Sequence, residues 1–274
     1  MDYKAKKYKT VCTVLMTLTV ILTIALAAVR TWMLAQFYNT DTGYFNCDNI
    51  YTTIFYLCEA LCLVIALAAL LALGKKIRIA QPAPSSASLF AGLFCGFLML
   101  ASVVLYFLET SLSQVFESYL LIIAIILALV SAVYFVFGTT AQKIGYTVKT
   151  ILCFSVVFWA MVNLFVLYFD ISLTINNPSK IAEQLALVSV MLYFLYECRF
   201  FIEKQRPAIY LAVGFISCVL LGVSVVPNII SAFLLGIDVT TGFYTQIAEL
   251  GIFVYILFRT ASNIKNIEIK APEV

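Results

Sequence analysis

Long runs of apolar residues follow one another along the chain, separated by short polar segments. Each run matches or exceeds the roughly 20 residues that an α-helix needs to cross a bilayer. The pattern predicts eight spans, with approximate limits 10–36, 50–74, 88–109, 116–138, 148–170, 181–202, 208–235 and 242–261. A membrane β-barrel would instead alternate apolar and polar side chains in segments of about ten residues. The sequence therefore predicts an all-α polytopic transmembrane helix bundle.

Composition agrees with this class of protein. Of the 274 residues, 64% are hydrophobic and 11% are charged, whereas a soluble domain carries about 25% charged residues. The connections between the spans are short, and the longest of them, 37–49, is too short for a soluble domain. We therefore expect a single integral membrane domain over residues 1–274, with the lipid bilayer as its main partner.

The positions of the basic residues predict how the chain is threaded. Cytoplasmic loops of membrane proteins retain Lys and Arg. With eight spans, all but two of the 17 Lys and Arg residues fall on one side, and Arg30 and Lys180 are the exceptions. This asymmetry predicts cytoplasmic N and C termini in a plasma or inner cell membrane. The basic residues are scattered along that membrane face, so nucleic-acid binding is not expected.

Carboxylates recur in the outer part of every helix that is predicted to run inward, at Glu59, Glu117, Glu183 and Glu249. The matching segments KIAEQL (180–185) and QIAELG (246–251) suggest a repeated helical hairpin. Glu117 and Glu183 are interpreted as first-turn residues that offset the positive end of the helix dipole. Glu59 and Glu249 lie about two turns deeper, where a carboxylate should face the bundle interior or water.

A candidate cation-binding cavity follows from these deep carboxylates and their polar neighbours. Arg30 either snorkels to the outer headgroups beside Trp32 or pairs with an interior acid. Pro227 removes a backbone hydrogen bond and frees a carbonyl, so the bend there either lines a cavity or is satisfied by a neighbouring helix. Asn163 and Asp170 are seven residues apart and share a helix face. The predicted cavity residues are Glu59, Glu249, Arg30, Asp170, Asn163 and Asn228, with Pro227 as the bend.

The segment LVSVMLYFLYECRFFIEKQRP (187–207) changes from apolar to charged within one helix. We interpret it as the cytoplasmic exit of the sixth span, where Lys and Arg suit the C-terminal end of the helix dipole. The alternative is a cytoplasmic gate built from Glu197 and Arg199.

The chain lacks the residues on which several kinds of catalysis depend. It contains no histidine, which excludes Ser–His and Cys–His nucleophile pairs and HExxH zinc sites. Cys58 and Cys62 share a face beside Glu59, but without further ligands they do not predict a metal site. No catalytic residue, metal or cofactor is therefore predicted.

Three functional hypotheses remain from the sequence. The first is a transporter or channel for a cation or small molecule, with an outward-facing acidic cavity. The second is a sensor, scaffold or accessory subunit without flux of its own, which would bind a membrane partner subunit or a second copy of the chain. The third is a lipid-modifying enzyme that works through carboxylates, which would need a carboxylate pair in a groove open to lipid.

Overall fold

Eight helices make up most of the described chain. The structure is a computed structural model, and it describes residues 2–39, 42–45, 50–73, 77–79, 85–109, 119–138, 145–170, 177–236 and 242–269. Within these ranges the helices are α1 (Asp2–Phe37), α2 (Ile50–Leu73), α3 (Ser86–Glu109), α4 (Tyr119–Val133), α5 (Tyr146–Phe169), α6 (Pro178–Phe201), α7 (Pro207–Ile230) and α8 (Phe243–Lys265). A π-helical turn extends α4 over Tyr134–Gly138 and α7 over Ser231–Leu235.

Seven of these helices are long and apolar enough to cross a membrane. They are all the helices except α2. In α2 the apolar stretch within the described residues is the shorter Ile50–Val64. The predicted helical membrane bundle is thus confirmed for seven apolar helices within the described ranges. The eighth span and the cytoplasmic position of both termini remain predictions.

Two helices, α1 and α6, begin three or more residues earlier than the hydrophobic pattern indicated. Helix α1 begins at Asp2, because its Lys-rich start contains good helix formers and neither Gly nor Pro. Helix α6 begins at Pro178, where the Asn177 side chain accepts hydrogen bonds from the backbone N–H groups of Ser179 (2.8 Å) and Lys180 (3.3 Å). Asn as the N-cap followed by Pro at the first helical position is a favoured start.

Helix α7 forms the centre of the bundle. It packs against α1, α2, α6 and α8, while α3 packs on α8 and α5 packs on α6. Two glycines allow this close approach, because a Cβ atom at Gly214 would collide with Thr260 and one at Gly222 would collide with Thr23. The helices α6, α7 and α8 therefore enclose most of the interior.

Two short antiparallel ribbons lie at opposite ends of the bundle, and the hydrophobic pattern predicted neither. Strands β1 (Tyr38–Asn39) and β2 (Tyr44–Phe45) form a hairpin between α1 and α2. Strand β3 (Ile77–Ile79), between α2 and α3, pairs with strand β4 (Ile267–Ile269), which follows α8. Three isoleucines of these two strands are buried. We call the end with β1 and β2 the hairpin face and the end with β3 and β4 the terminal face.

Candidate functional site

Arg30 binds the backbone carbonyl that Pro227 leaves without a helical partner. Proline has no N–H, so the carbonyl four residues earlier, that of Val223, receives no bond from position 227. The Nη1 atom of Arg30 donates to Val223 O at 3.2 Å, and Arg30 is only 4% exposed. Arg30 is therefore an interior residue, and a neighbouring helix satisfies the carbonyl at the bend.

Acidic side chains from two helices lie near this arginine. Glu59 of α2 and Glu183 of α6 both lie within electrostatic range of Arg30. Glu183 in turn interacts with Glu249 of α8 and with Asp170 at the end of α5. We call Arg30, Glu59, Glu183 and Glu249 the carboxylate layer. It contains three of the predicted cavity residues, Arg30, Glu59 and Glu249, and Asp170 lies beside it within electrostatic range of Glu183.

Glu183 is the central residue that the sequence reasoning missed. Its interpretation as a first-turn residue is wrong, because α6 begins at Pro178 and places Glu183 in the second turn. There it is 4% exposed, on the buried side of the helix. Asn177 before Pro178 is the sequence signal for the earlier start. The shared Ile-Ala-Glu of 181–183 and 247–249 also marks Glu183 and Glu249 as equivalent positions.

Glu249 is completely enclosed, with an exposed fraction of 0%. In the described part of the chain, neither oxygen of its carboxylate has a hydrogen-bond partner, and Glu183 is its charged neighbour. Burial of an ionised carboxylate without a partner is costly, and such residues inside membranes mark ion and proton sites. The arrangement is therefore suited to taking up a positive charge.

Asn163 and Asp170 occupy different surroundings. The Asn163 amide donates to Trp159 O at 2.8 Å and lines a small separate cavity with Tyr106 and Tyr244. That cavity has about 20 Å³ of free volume, which is room for a single water molecule. Asp170 follows the last residue of α5, and its backbone oxygen accepts a hydrogen bond from Lys180 Nζ at 2.7 Å. Asn163 is thus not part of the carboxylate layer.

A second polar cluster, nearer the terminal face, joins α6, α7 and α8. Glu197 Oε1 accepts hydrogen bonds from Arg259 Nε at 3.0 Å and from the Tyr255 hydroxyl at 2.9 Å. The hydroxyls of Tyr193 and Tyr210 are 2.5 Å apart, and the amide of Asn263 donates to Tyr210 at 2.9 Å. We call these six buried residues the tyrosine network.

Arg199 lies outside this network. Its Nε donates to the backbone oxygen of Lys204 at 3.0 Å, and its guanidinium sits over the Tyr196 ring. Residues two positions apart on a helix point in different directions, so Arg199 cannot share the buried face of Glu197. The partner of Glu197 is Arg259, which the sequence analysis assigned only to the topology pattern.

Aromatic rings pack against the tyrosine network, which is well separated from the carboxylate layer. Phe194 stacks on Tyr255 with ring centroids 5.8 Å apart, and Phe135 packs edge-on against Tyr255 at 4.9 Å. Along α8, Glu249 and Arg259 are separated by roughly 15 Å of helix axis. The two polar clusters are therefore distinct.

The architecture defines the chain as a multi-pass membrane protein with charged groups buried between its helices. Comparison with known proteins identifies no relative, since no family model, curated protein or solved structure matches the chain. Among the described residues, no group of three or more His, Cys, Asp and Glu side chains is arranged to hold a metal ion. The carboxylate layer is therefore the feature of the molecule that points to a function.

Proposed function

We propose that this protein is an ion-coupled membrane transport protein, moving a cation or a small molecule. Its carboxylate layer binds the coupling ion. The observation that carries the proposal is Glu249, which is fully enclosed, faces Glu183, and has no hydrogen-bond partner in the described part of the chain. A group in this position gains most from binding a proton or a metal cation.

Orientation is part of the proposal. With both termini cytoplasmic, the carboxylate layer lies toward the outer surface and the tyrosine network toward the cytoplasm. The ion then enters from the hairpin face, and the Glu197–Arg259 pair with its tyrosines closes the cytoplasmic end. Loop acids on the outer side would raise the local cation concentration.

The tyrosine network favours a second candidate, a non-transporting scaffold or accessory subunit. Its three helices are joined by buried hydrogen bonds and an ion pair, and such a network rigidifies a bundle. The enzyme hypothesis gains no such support. Glu183 and Glu249 are buried among helices rather than placed in a groove open to lipid.

Charge displacement in proteoliposomes tests the transport proposal. The purified protein is adsorbed on a solid-supported membrane, and rapid jumps in Na⁺, K⁺ or proton concentration are applied. Binding of an ion within the membrane displaces charge and produces a transient current, even when a co-substrate is missing. We expect a current with at least one of these cations in the wild type and its loss in Glu249→Gln.

Glu268→Gln is the matched control, because Glu268 is an exposed acid on β4, far from the layer. It should retain the wild-type current. A wild type that gives no current with any of the three cations contradicts the transport proposal. Normal currents in Glu249→Gln would show that the ion binds elsewhere.

A further inference from the structure

Uncharged oxygen atoms without hydrogen-bond partners surround the buried carboxylates. Within the described residues, the oxygen of the Gln246 amide and both atoms of the Asn228 amide make no hydrogen bond, and the same holds for the hydroxyl of Ser224, while the Gln246 nitrogen lies against the Glu183 carboxylate. Gln246 is 1% exposed and Asn228 is 3% exposed. Buried polar groups are normally satisfied, so a concentration of unpaired ones indicates a binding position.

Helix register places these groups at one depth. Gly222 of α7 meets Phe253 of α8, so six residues further along this antiparallel pair Asn228 lies beside Gln246–Ile247. The Ser217 hydroxyl of α7 donates to Ser189 O of α6, and the same step brings Glu183 level with Val223. Glu249 is one helical turn from Gln246, and Gln246 neighbours Glu183. Ser224 follows Val223 directly. Measured along the helix axes, the side chains of Glu183, Ser224, Asn228, Gln246 and Glu249 thus lie within roughly two helical turns, about 10 Å.

The charge balance of this position fits a single positive charge. Glu183 and Glu249 contribute two carboxylates, and Arg30 lies within range of Glu183. Glu59 also faces Arg30, but it is partly exposed and belongs to the peripheral helix α2. Asp170 also lies within range of Glu183, and its charge is offset by the buried Lys180, whose Nζ donates to Asp170 O at 2.7 Å. Together these groups carry one excess negative charge when ionised. A divalent cation would leave the site positively charged.

The oxygen-rich lining distinguishes a metal cation from a proton. A proton needs only a carboxyl oxygen and would leave the amide oxygens of Gln246 and Asn228 unsatisfied. Hard cations, by contrast, are bound by carboxylate, amide carbonyl and hydroxyl oxygens together. The side chains at this depth offer these three types of oxygen.

We propose that Glu249, Gln246 and Asn228 bind one alkali-metal cation of the Na⁺ class, with Glu183 and Ser224 completing the site. This inference rests on the proposed function and names its coupling ion. Protons compete for the same carboxylates. Arg30 of α1 and Asp170 after α5 face Glu183, and Glu183 and Glu249 face each other. Tyr38 of β1 and Tyr56 and Glu59 of α2 face Arg30.

The test measures the thermal unfolding temperature of the purified protein in LiCl, NaCl, KCl and choline chloride at constant ionic strength. A ligand that binds only the folded state stabilises it in proportion to the logarithm of its concentration. We expect the Tm of the wild type to rise with Na⁺ but not with choline, and to rise less at low pH. Glu249→Gln should weaken the apparent Na⁺ affinity more than about tenfold, because it removes a negative charge from the site. A tenfold change corresponds to about 1.4 kcal/mol of binding free energy.

Asn228→Leu should also weaken the Na⁺ response, whereas Gln184→Leu should not, because Gln184 lines an open groove with Leu164 and Phe165. If Tm responds to pH but to no alkali cation, the cation assignment is overturned and the transport proposal survives with the proton as its ion. If the wild type responds to neither, both proposals fail. The wild-type salt series decides between these outcomes even if a variant does not fold.

Discussion

At the residue scale, the two buried charges of the tyrosine network are stabilised by partners on other helices. Glu197 and Arg259 bind each other across α6 and α8, and Tyr255 adds a third group. Breaking a buried pair leaves one charge without compensation, which costs far more than an exposed pair contributes. The stability of the bundle should therefore be sensitive to single substitutions in the tyrosine network.

Replacing Glu197 tests this sensitivity. Glu197→Ala should destabilise the protein by about 3–5 kcal/mol, because Arg259 remains buried without its carboxylate. The double variant Glu197→Ala/Arg259→Leu should be more stable than the single variant, since it removes the unpaired charge. Thermal unfolding in detergent, followed by the fluorescence of Trp32 and Trp159, measures both. Glu268→Ala is the exposed control, and equal loss in the single and double variants would refute the pairing argument.

Tyr210 is the point at which the tyrosine network joins α7 to both neighbours. Tyr210→Phe removes the hydroxyl that contacts Tyr193 and accepts from Asn263. We expect a loss of about 1–3 kcal/mol, the cost of leaving buried polar groups unsatisfied. Tyr119→Phe, at a largely exposed tyrosine, should change the unfolding temperature little. An unaffected Tyr210→Phe would mean that the hydroxyl contributes no net stability.

Sequence reasoning at this scale identified residues whose type alone is unusual in a membrane. Arg30, Glu59 and Glu249 were recognised because a charge inside a span demands a partner, although the contacts between them were not predictable. Glu183 was missed because the apolar pattern placed the start of α6 at residue 181, three residues late. The partner of Glu197 was missed because Arg259 lies 62 positions away, and no local spacing relates the two.

The helices themselves could be predicted because each apolar run reaches the length that an α-helix needs to cross a membrane. The ribbons were not, since strands of two or three residues show no periodicity that a pattern can detect. At the element scale the informative feature is the bend in α7, where Arg30 of α1 supplies the donor that Pro227 lacks. This contact couples two helices through one backbone carbonyl.

A double-mutant cycle measures that coupling. In Pro227→Ala, residue 227 regains an N–H that can bond Val223 O within α7, so the carbonyl no longer depends on Arg30. Arg30→Leu should therefore cost less stability in the Pro227→Ala background than in the wild type, by about 1 kcal/mol. Unfolding temperatures of the four proteins give the interaction energy. Strict additivity of the two substitutions would contradict the role assigned to Arg30.

At the scale of the whole molecule, the open prediction is the threading. With eight spans the hairpin face and the terminal face lie on opposite sides of the membrane from one another, and both termini are cytoplasmic. Thr42 on the hairpin and Glu268 on β4 are exposed positions on these two faces. A label attached at either position therefore reports on which side of the membrane that face lies.

Cysteine labelling in intact cells tests the predicted threading of the chain. A membrane-impermeant maleimide should label Thr42→Cys from outside and should label Glu268→Cys only after the cells are opened. The wild type, with its native cysteines, provides the background. Labelling of both positions from the same side would exclude the eight-span arrangement. Labelling of Glu268→Cys from outside and of Thr42→Cys only after the cells are opened would reverse the inferred direction of ion entry.

The pairing of β3 with β4 has a consequence for the order of assembly. Ile77–Ile79 leaves the ribosome after only two helices, whereas its partner Ile267–Ile269 follows the last of them. Strands β3 and β4 cannot pair until α3 to α8 have been synthesised and inserted. During that time α1 and α2 are not held by this strand pairing. The final strand thus ties the earliest part of the chain to the latest, and the bundle is completed only after translation has passed its last helix.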